Sequence, residues 1–202
     1  MKYARPIPIR KTDEARLHRA VSEIIGRRLA RVHYRYPHGT CWPEDLPYGH
    51  GQIDEVGMAA VADFDDGTSL IISWAMEGMS GGLDVATGLT ETIATVPERE
   101  TEFDVTDMTN WRAVLGRRVQ EVAAAWHVSG MARLDPPEYP ETLWAVRIGF
   151  AGGAQIVVAL GAAKRTGIRY EPDSLIVLFK PEDVRAYIDE GESQRAFAPI
   201  ET

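Results

Sequence analysis

The sequence is poor in cysteine and in long apolar runs, and these shortages argue against a disulfide-bonded protein and against a membrane-spanning one. Cys41 is the only cysteine among 202 residues, so an internal disulfide bond is impossible, which fits a reducing compartment. No apolar run reaches the ~18 residues that a membrane-spanning helix needs. The first eleven residues carry basic side chains but no apolar stretch like that of a secretory signal. We therefore expect a cytoplasmic protein without a membrane partner.

The sequence also lacks the short motifs that identify common enzymes and cofactor sites. It contains no G-x-S-x-G nucleophile elbow. The glycine-rich stretches at 78–82 and 149–153 match neither a phosphate-binding loop nor a dinucleotide fingerprint. We therefore assign no catalytic residue, predict no cofactor, and favour a protein that is not an enzyme.

The charge of the chain is divided unevenly along its length. Residues 1–36 hold ten Lys/Arg and three Asp/Glu, a balance of +7, within a total of −8 for the whole chain. The basic start has no dense run of basic residues, and the acidic remainder would repel phosphates. We expect the acidic remainder to neutralise the basic start. From this charge distribution we expect a basic protein partner rather than a nucleic acid. The sequence does not predict the oligomeric state.

One six-residue pattern occurs twice and organises the chain. Residues 24–29, Ile-Ile-Gly-Arg-Arg-Leu, are matched 90 positions later by residues 114–119, Val-Leu-Gly-Arg-Arg-Val. In each copy, aliphatic residues end an amphipathic helix and glycine supplies a left-handed turn. The arginines favour the negative end of the helix dipole, and alternating apolar residues then begin a strand. The arginine pairs could bind anions, but we favour this local structural role.

Each copy is followed by the pattern of a β-hairpin. Apolar residues alternate on both sides of a turn, Asp65-Asp66-Gly67-Thr68 in the first half and Gly152-Gly153 in the second. Thr12 is the expected N-cap of the first helix, and glycine-rich residues 79–82 are expected to be a loop. The predicted elements are helices at 13–25, 109–115 and 181–190, strands at 28–36, 89–96 and 175–179, and hairpins at 56–75 and 144–160.

Together these elements predict an α+β fold in a single domain, residues 1–202, with an internal duplication. Unit one covers about 12–76, unit two about 106–160, and a C-terminal strand and helix about 173–190. We expect a mainly antiparallel sheet of six to seven strands, with the helices on one face or at the ends. Residues 161–172 are expected to be a loop and residues 192–202 a loose tail.

Two irregular loops, 37–55 and 128–141, supply the candidate binding residues. Trp42, Tyr48 and His50 lie in the first loop and Tyr139 lies in the second. Exposed tryptophan and tyrosine side chains often anchor protein interfaces. The alternative is that these aromatic side chains fold back over the sheet. A groove between the two loops would be a concave site between units, of the kind that ligands favour.

The first loop also supports a metal hypothesis. His38, Cys41 and His50 carry the nitrogen and sulfur atoms that zinc binds, although their spacing matches no known metal motif. Cys41 could instead act as a nucleophile with a histidine base, but Glu44 and Asp45 oppose the lowered thiol pKa that this role needs.

The function that we favour from the sequence is a non-catalytic module that binds a protein through an acidic surface, as an immunity protein or antitoxin does. One alternative is a metal-binding protein or hydrolase that uses His38, Cys41 and His50. Another is a binder of a small ligand between the two halves.

Overall fold

The computed structural model describes residues 5–40, 53–78, 80–93, 95–127, 141–164, 167–190 and 197–200. A short 3-10 turn, Lys11–Asp13, precedes the first helix. The helices in this part of the chain are α1 (Glu14–Ile24), α2 (Thr90–Ile93), α3 (Thr109–Arg112) and α4 (Pro181–Glu190). The strands are β1 (Leu29–Pro37), β2 (Ile53–Val56), β3 (Ala59–Phe64), β4 (Thr68–Glu77), β5 (Ser80–Leu89), β6 (Glu100–Asp104), β7 (Val119–His127), β8 (Thr142–Phe150), β9 (Gln155–Leu160), β10 (Ala162–Lys164), β11 (Gly167–Arg169), β12 (Leu175–Leu178) and β13 (Ala198–Pro199).

The strands form two large sheets rather than the one sheet of six to seven strands that we expected. The first sheet has the order β5-β4-β3-β1-β6, and the second has the order β13-β7-β8-β9-β12-β2. Strands β10 and β11 form a separate two-stranded ribbon where a loop was predicted. Each strand pair between described residues is antiparallel. The chain therefore has an α+β fold built mainly from antiparallel sheets.

The two sheets meet at the repeated glycine-arginine pattern. The Gly26 N–H donates to the Val119 carbonyl, and the Gly116 N–H donates to the Leu29 carbonyl, both at 2.8 Å. Gly26 and Gly116 have φ angles of +80° and +73°, in the left-handed region predicted for them. Because this junction includes only one isolated bridge, Arg28 with Arg118, the strands do not continue into a single sheet.

The second arginine of each pattern binds the opposite copy through its side chain. The Arg28 guanidinium donates to the Gly116 carbonyl at 3.1 Å, and the Arg118 guanidinium donates to the Gly26 carbonyl at 2.6 Å. These bonds satisfy carbonyl groups of the turns that follow α1 and α3. The contacts favour the structural role over anion binding.

An N-terminal arm closes one edge of the first sheet. Ile9 is fully buried; its N–H donates to the Leu83 carbonyl, and its carbonyl accepts from the Leu143 N–H, at 2.9 and 2.8 Å. A Cβ atom at Gly82 would lie 2.8 Å from Pro8 and 2.9 Å from Thr142. The loop predicted around this glycine is therefore wrong, because the glycine belongs to β5 and allows the close approach of neighbouring chains. The strand predicted at 89–96 is also wrong, since α2 follows β5 directly.

Several local predictions agree with the structure, and two do not. Helix α1 ends at Ile24, one residue before the predicted end, but Thr12 is not its N-cap: that position is Asp13, which makes no side-chain capping bond. Helix α4 has the predicted bounds. The tail is only partly loose, because β13 pairs with β7. In the described part of the chain, no helix combines the length and apolar character needed to cross a membrane.

Candidate functional site

Alternate residues of β1 and β6 place charged side chains on the face of the first sheet that points away from the core. The even-numbered residues of β1 from Val32 to Tyr36 belong to the core, so the odd-numbered ones point the other way. In the pairing of β1 with β6, His33 lies opposite Asp104 and Arg35 lies opposite Glu102. We name this set the charged ladder; its members are Arg31, His33, Arg35, Glu100, Glu102 and Asp104.

His33 connects β1 to both of its neighbours. Its side chain is buried, with Nε2 3.1 Å from Asp63 Oδ2 on β3 and Nδ1 3.3 Å from Glu102 Oε1 on β6. Because an ionised carboxylate only accepts hydrogen bonds, both contacts become hydrogen bonds when both ring nitrogens carry protons. His33 therefore lies between two carboxylates and links the three strands.

Asp63 is held in its charged form by the groups around it. Burial raises the pKa of Asp63, but hydrogen bonds from His33 and Ser69 outweigh burial and hold that pKa below its usual value. The buried Ser69 Oγ donates to Asp63 and also lies 2.7 Å from the Thr90 Oγ1 atom at the start of α2. This chain of contacts extends the polar network from β6 across β1 and β3 to β4 and α2.

Two arginines of β1 pair with two carboxylates of β6. Arg35 is fully buried and its Nε donates to Glu102 at 3.0 Å. Arg31, which is exposed, donates from Nε to Asp104 at 2.9 Å. Slight burial raises the pKa of Asp104, but hydrogen bonds from Thr106 and Arg31 outweigh it and lower the pKa to about 2. Both carboxylates therefore have a cation beside them.

Glu100 differs from the other carboxylates of the charged ladder. It is 6% exposed, and its Oε2 accepts no hydrogen bond within the described part of the chain. It lies opposite Pro37, which carries no charge. Burial raises the pKa of Glu100, although Arg35 and Arg99 act in the opposite direction. Glu100 is thus a buried carboxylate whose charge is only partly offset by neighbouring cations.

The polar groups in and around the charged ladder are not arranged as in a serine hydrolase. Ser69 donates its proton to Asp63 and not to His33, so the order of groups differs from that of a serine nucleophile activated by histidine. The lowered pKa of Asp63 makes that carboxylate a weak general base at neutral pH. Among the residues whose placement is described, no group of three His, Cys, Asp or Glu side chains is positioned to hold a metal ion.

A second polar cluster lies on the core side of β1. The Tyr34 hydroxyl donates to Asp54 on β2 at 2.6 Å and accepts from the Trp111 Nε1–H of α3 at 2.7 Å. Burial raises the pKa of Asp54, and it raises the pKa of Tyr34 even further from its ordinary value. Because all three side chains are buried, this cluster ties elements together and offers no open site.

Most of the site residues predicted from the sequence cannot be compared with the structure. His38 is exposed, and its N–H donates to the Arg99 carbonyl at 2.7 Å. Cys41, Trp42, Tyr48, His50 and Tyr139 all lie outside the described residues. The aromatic site, the metal site and the groove between the loops therefore stay predictions.

The sequence analysis missed the charged ladder, although its signal is present. Arg-x-His-x-Arg at 31–35 and Glu-x-Glu-x-Asp at 100–104 both alternate with the period of a strand. Their pairing was hidden because 64 residues separate the two segments, and only the sheet topology makes them neighbours. At the corresponding positions of β7, 90 residues after His33 and Arg35, the chain carries Ala123 and Ala125.

Comparison with known proteins assigns no function to this site. No protein-family model matches the sequence, and no curated protein or solved structure matches the chain. We therefore infer its function from the residues themselves.

Proposed function

We propose that this chain is a non-catalytic binding protein whose acidic surface receives a basic protein partner. An immunity protein or antitoxin that covers a basic toxin is one example of this function. The observation that carries the proposal is the internal pairing of the basic N-terminal segment, which leaves the excess negative charge of the chain at the surface.

Five of the arginines in the first 36 positions contact acidic residues further along the chain. The pairs are Arg10–Glu77, Arg16–Asp84, Arg27–Asp66, Arg31–Asp104 and Arg35–Glu102. The segment is therefore not gathered into a basic patch of the kind that attracts phosphates. Exposed carboxylates elsewhere, among them Glu23, Glu91 and Glu98, would steer a cationic partner towards the surface.

We also infer that the two halves descend from one duplicated module. Three features support this inference: the reciprocal hydrogen bonds of Gly26 and Gly116, their similar φ angles, and the shift of strand register two residues into both β1 and β7. In this view the first copy acquired the charged ladder, while the second copy kept small apolar residues at those positions.

The proposal is tested by capture of a partner on the immobilised protein from an extract of its own cells. We expect one basic protein to bind in equimolar amount at low salt and to be released by 0.5 M salt. At that concentration the Debye length is only about 5 Å, so attraction between exposed charges further apart is largely screened. Glu91→Gln/Glu98→Gln should weaken binding, whereas Glu91→Asp/Glu98→Asp, which keeps the charges, should retain it.

Three results would contradict the proposal. The first is that no basic protein is retained above the level seen on beads without protein. The second is that the captured partner is acidic. The third is that a basic partner binds both double variants equally well and resists salt.

A further inference from the structure

The pairing of β1 with β6 sets three carboxylates of β6 beside β1, and among the described residues only two of them have a direct cation partner. Asp104 pairs with Arg31 and Glu102 pairs with Arg35, at 2.8 and 3.0 Å between nitrogen and oxygen. The third carboxylate, Glu100, lies opposite Pro37. The charged ladder therefore ends on a position where the cation is missing.

The hydrogen bonds of the network lead to the same position. Arg35 and Arg99 both lower the pKa of Glu100, but the Nε–H of Arg35 donates to Glu102. Glu100 Oε2 is buried and accepts no hydrogen bond within the described part of the chain. A carboxylate that is buried without full compensation is unfavourable in the free protein. A cation that donates a hydrogen bond to Glu100 Oε2 would remove this cost.

The position lies close to the surface of the molecule. Strand β6 is at the edge of the first sheet, and no strand pairs with its other side within the described part of the chain. Glu98 and Arg99, which immediately precede Glu100, are exposed. A side chain from a partner that docks against this edge would have only a short distance to cover.

Resting on the proposed function, we propose that Glu100 receives the guanidinium or ammonium group of an arginine or lysine side chain from the basic protein partner. A guanidinium group fits especially well, because its parallel N–H donors match the two oxygens of a carboxylate. A bare metal ion fits less well, since no three metal-binding side chains of the described residues converge there. The partner would thus bring the cation that β1 does not provide.

The first test uses the free protein and Glu100→Gln, with the exposed neighbour Glu98→Gln as the matched control. Glu100→Gln should raise the melting temperature at pH 7, because it removes a buried charge. The gain should disappear near pH 3, below the unfolded pKa of ~4.3, where the glutamate is protonated in both the folded and the unfolded chain. Glu98→Gln should change the melting temperature little. A loss of stability in Glu100→Gln at pH 7 would show that Glu100 is already compensated and would overturn the inference.

The second test titrates the protein with acetyl-arginine amide and follows backbone NMR signals. We expect saturable shifts at residues 100–102 at millimolar concentrations. Neither acetyl-citrulline amide, which has the same shape without the charge, nor the Glu100→Gln variant should reproduce these shifts. If the arginine and citrulline probes behave alike, the site is not selective for a cation and the inference is wrong.

The third test measures the affinity for the captured basic partner. Glu100→Gln should weaken it at least about 10-fold, whereas Asp107→Asn, at an exposed carboxylate, should weaken it less than about 2-fold, because exposed charge pairs contribute little. Equal binding by the wild type and Glu100→Gln would refute this inference and leave the proposed function intact. Selective binding of the arginine probe without any basic partner would refute the proposed function and leave the cation site intact.

Discussion

Strands β1 and β7 occupy corresponding places in the two sheets, yet the residues at two corresponding positions differ. Strand β1 buries His33 and Arg35, while β7 buries Ala123 and Ala125 at these positions, which are 1% and 3% exposed. Each strand begins after a positive-φ glycine and pairs with the first strand of a hairpin. The alanines of β7 show that this kind of strand can be buried without any charged side chain.

This difference is expected if the charged ladder serves binding, as proposed above, rather than stability. Removing charged groups from water is costly, and buried ion pairs are often no better for stability than well-packed apolar residues. Strand β7 buries alanines at these positions and so avoids the cost of removing charges from water. Four substitution experiments test this comparison.

The largest effect is expected from Arg35→Ala, which gives β1 the residue found at the corresponding position of β7. It removes the fully buried Arg35 guanidinium and leaves the half-buried Glu102 without this partner, so we expect a loss of about 3–5 kcal/mol in the free energy of unfolding. Urea denaturation at pH 7 measures the change.

The control for this experiment removes both members of the Arg35–Glu102 pair. Arg35→Met combined with Glu102→Leu should recover most of the lost stability, because no unpaired charge is then left between the two residues. If the combined variant is as unstable as Arg35→Ala, the charged ladder is needed for the fold and the comparison with β7 fails.

A smaller effect is expected from Tyr34→Phe on the core side of β1, where β7 carries Ala124. The change removes the hydrogen bond to Asp54 and leaves that buried carboxylate without its donor, at a cost of about 1–3 kcal/mol. Thermal or urea unfolding measures it. Tyr36→Phe is the matched control, since its hydroxyl donates to the Glu55 backbone carbonyl, and it should cost less.

The glycines of the junction provide the direct test of equivalence between the halves. Gly26→Ala and Gly116→Ala each place a Cβ in open space but at a positive φ, so each should cost about 1 kcal/mol. Urea unfolding should give nearly equal values for the two variants. A difference of more than about 1 kcal/mol would show that the two settings are not equivalent.

The smallest effect is expected from Asp104→Asn and depends on pH. The pKa of Asp104 is lowered to about 2 in the folded protein, so its contribution to stability is present above the unfolded value of ~3.9 and is lost as the pH falls towards 2. Because the side chain is 46% exposed, we expect only about 0.5 kcal/mol at pH 7. Wild type and variant should therefore differ at pH 7 and coincide near pH 2, as measured by urea unfolding.

Local patterns predicted those elements whose cause is local. The end of α1 followed from Ile24 and Gly26, and the β3–β4 turn followed from Asp65-Asp66-Gly67, because the signal and the structure occupy the same residues. Strand β5 was missed for the opposite reason: Gly82 resembles a loop residue until Pro8 and Thr142 are placed against it.

The candidate site shows the same division. The strand period of residues 31–35 could be read directly, and it predicts that His33 and Arg35 share a face. Nothing local indicates that this face would be buried or that Glu102 would lie opposite Arg35. That pairing follows from the sheet order, in which a distant segment forms the strand next to β1.

By itself, the sequence determined the α+β class, the repeated helix-glycine-strand pattern and the net negative charge, because each depends on composition or on neighbours along the chain. Only the tertiary structure decided that there are two sheets, that the N-terminal basic residues are paired internally, and that Glu100 is buried opposite a proline. These features depend on contacts between distant segments, and a short-range pattern contains no information about which strands become neighbours.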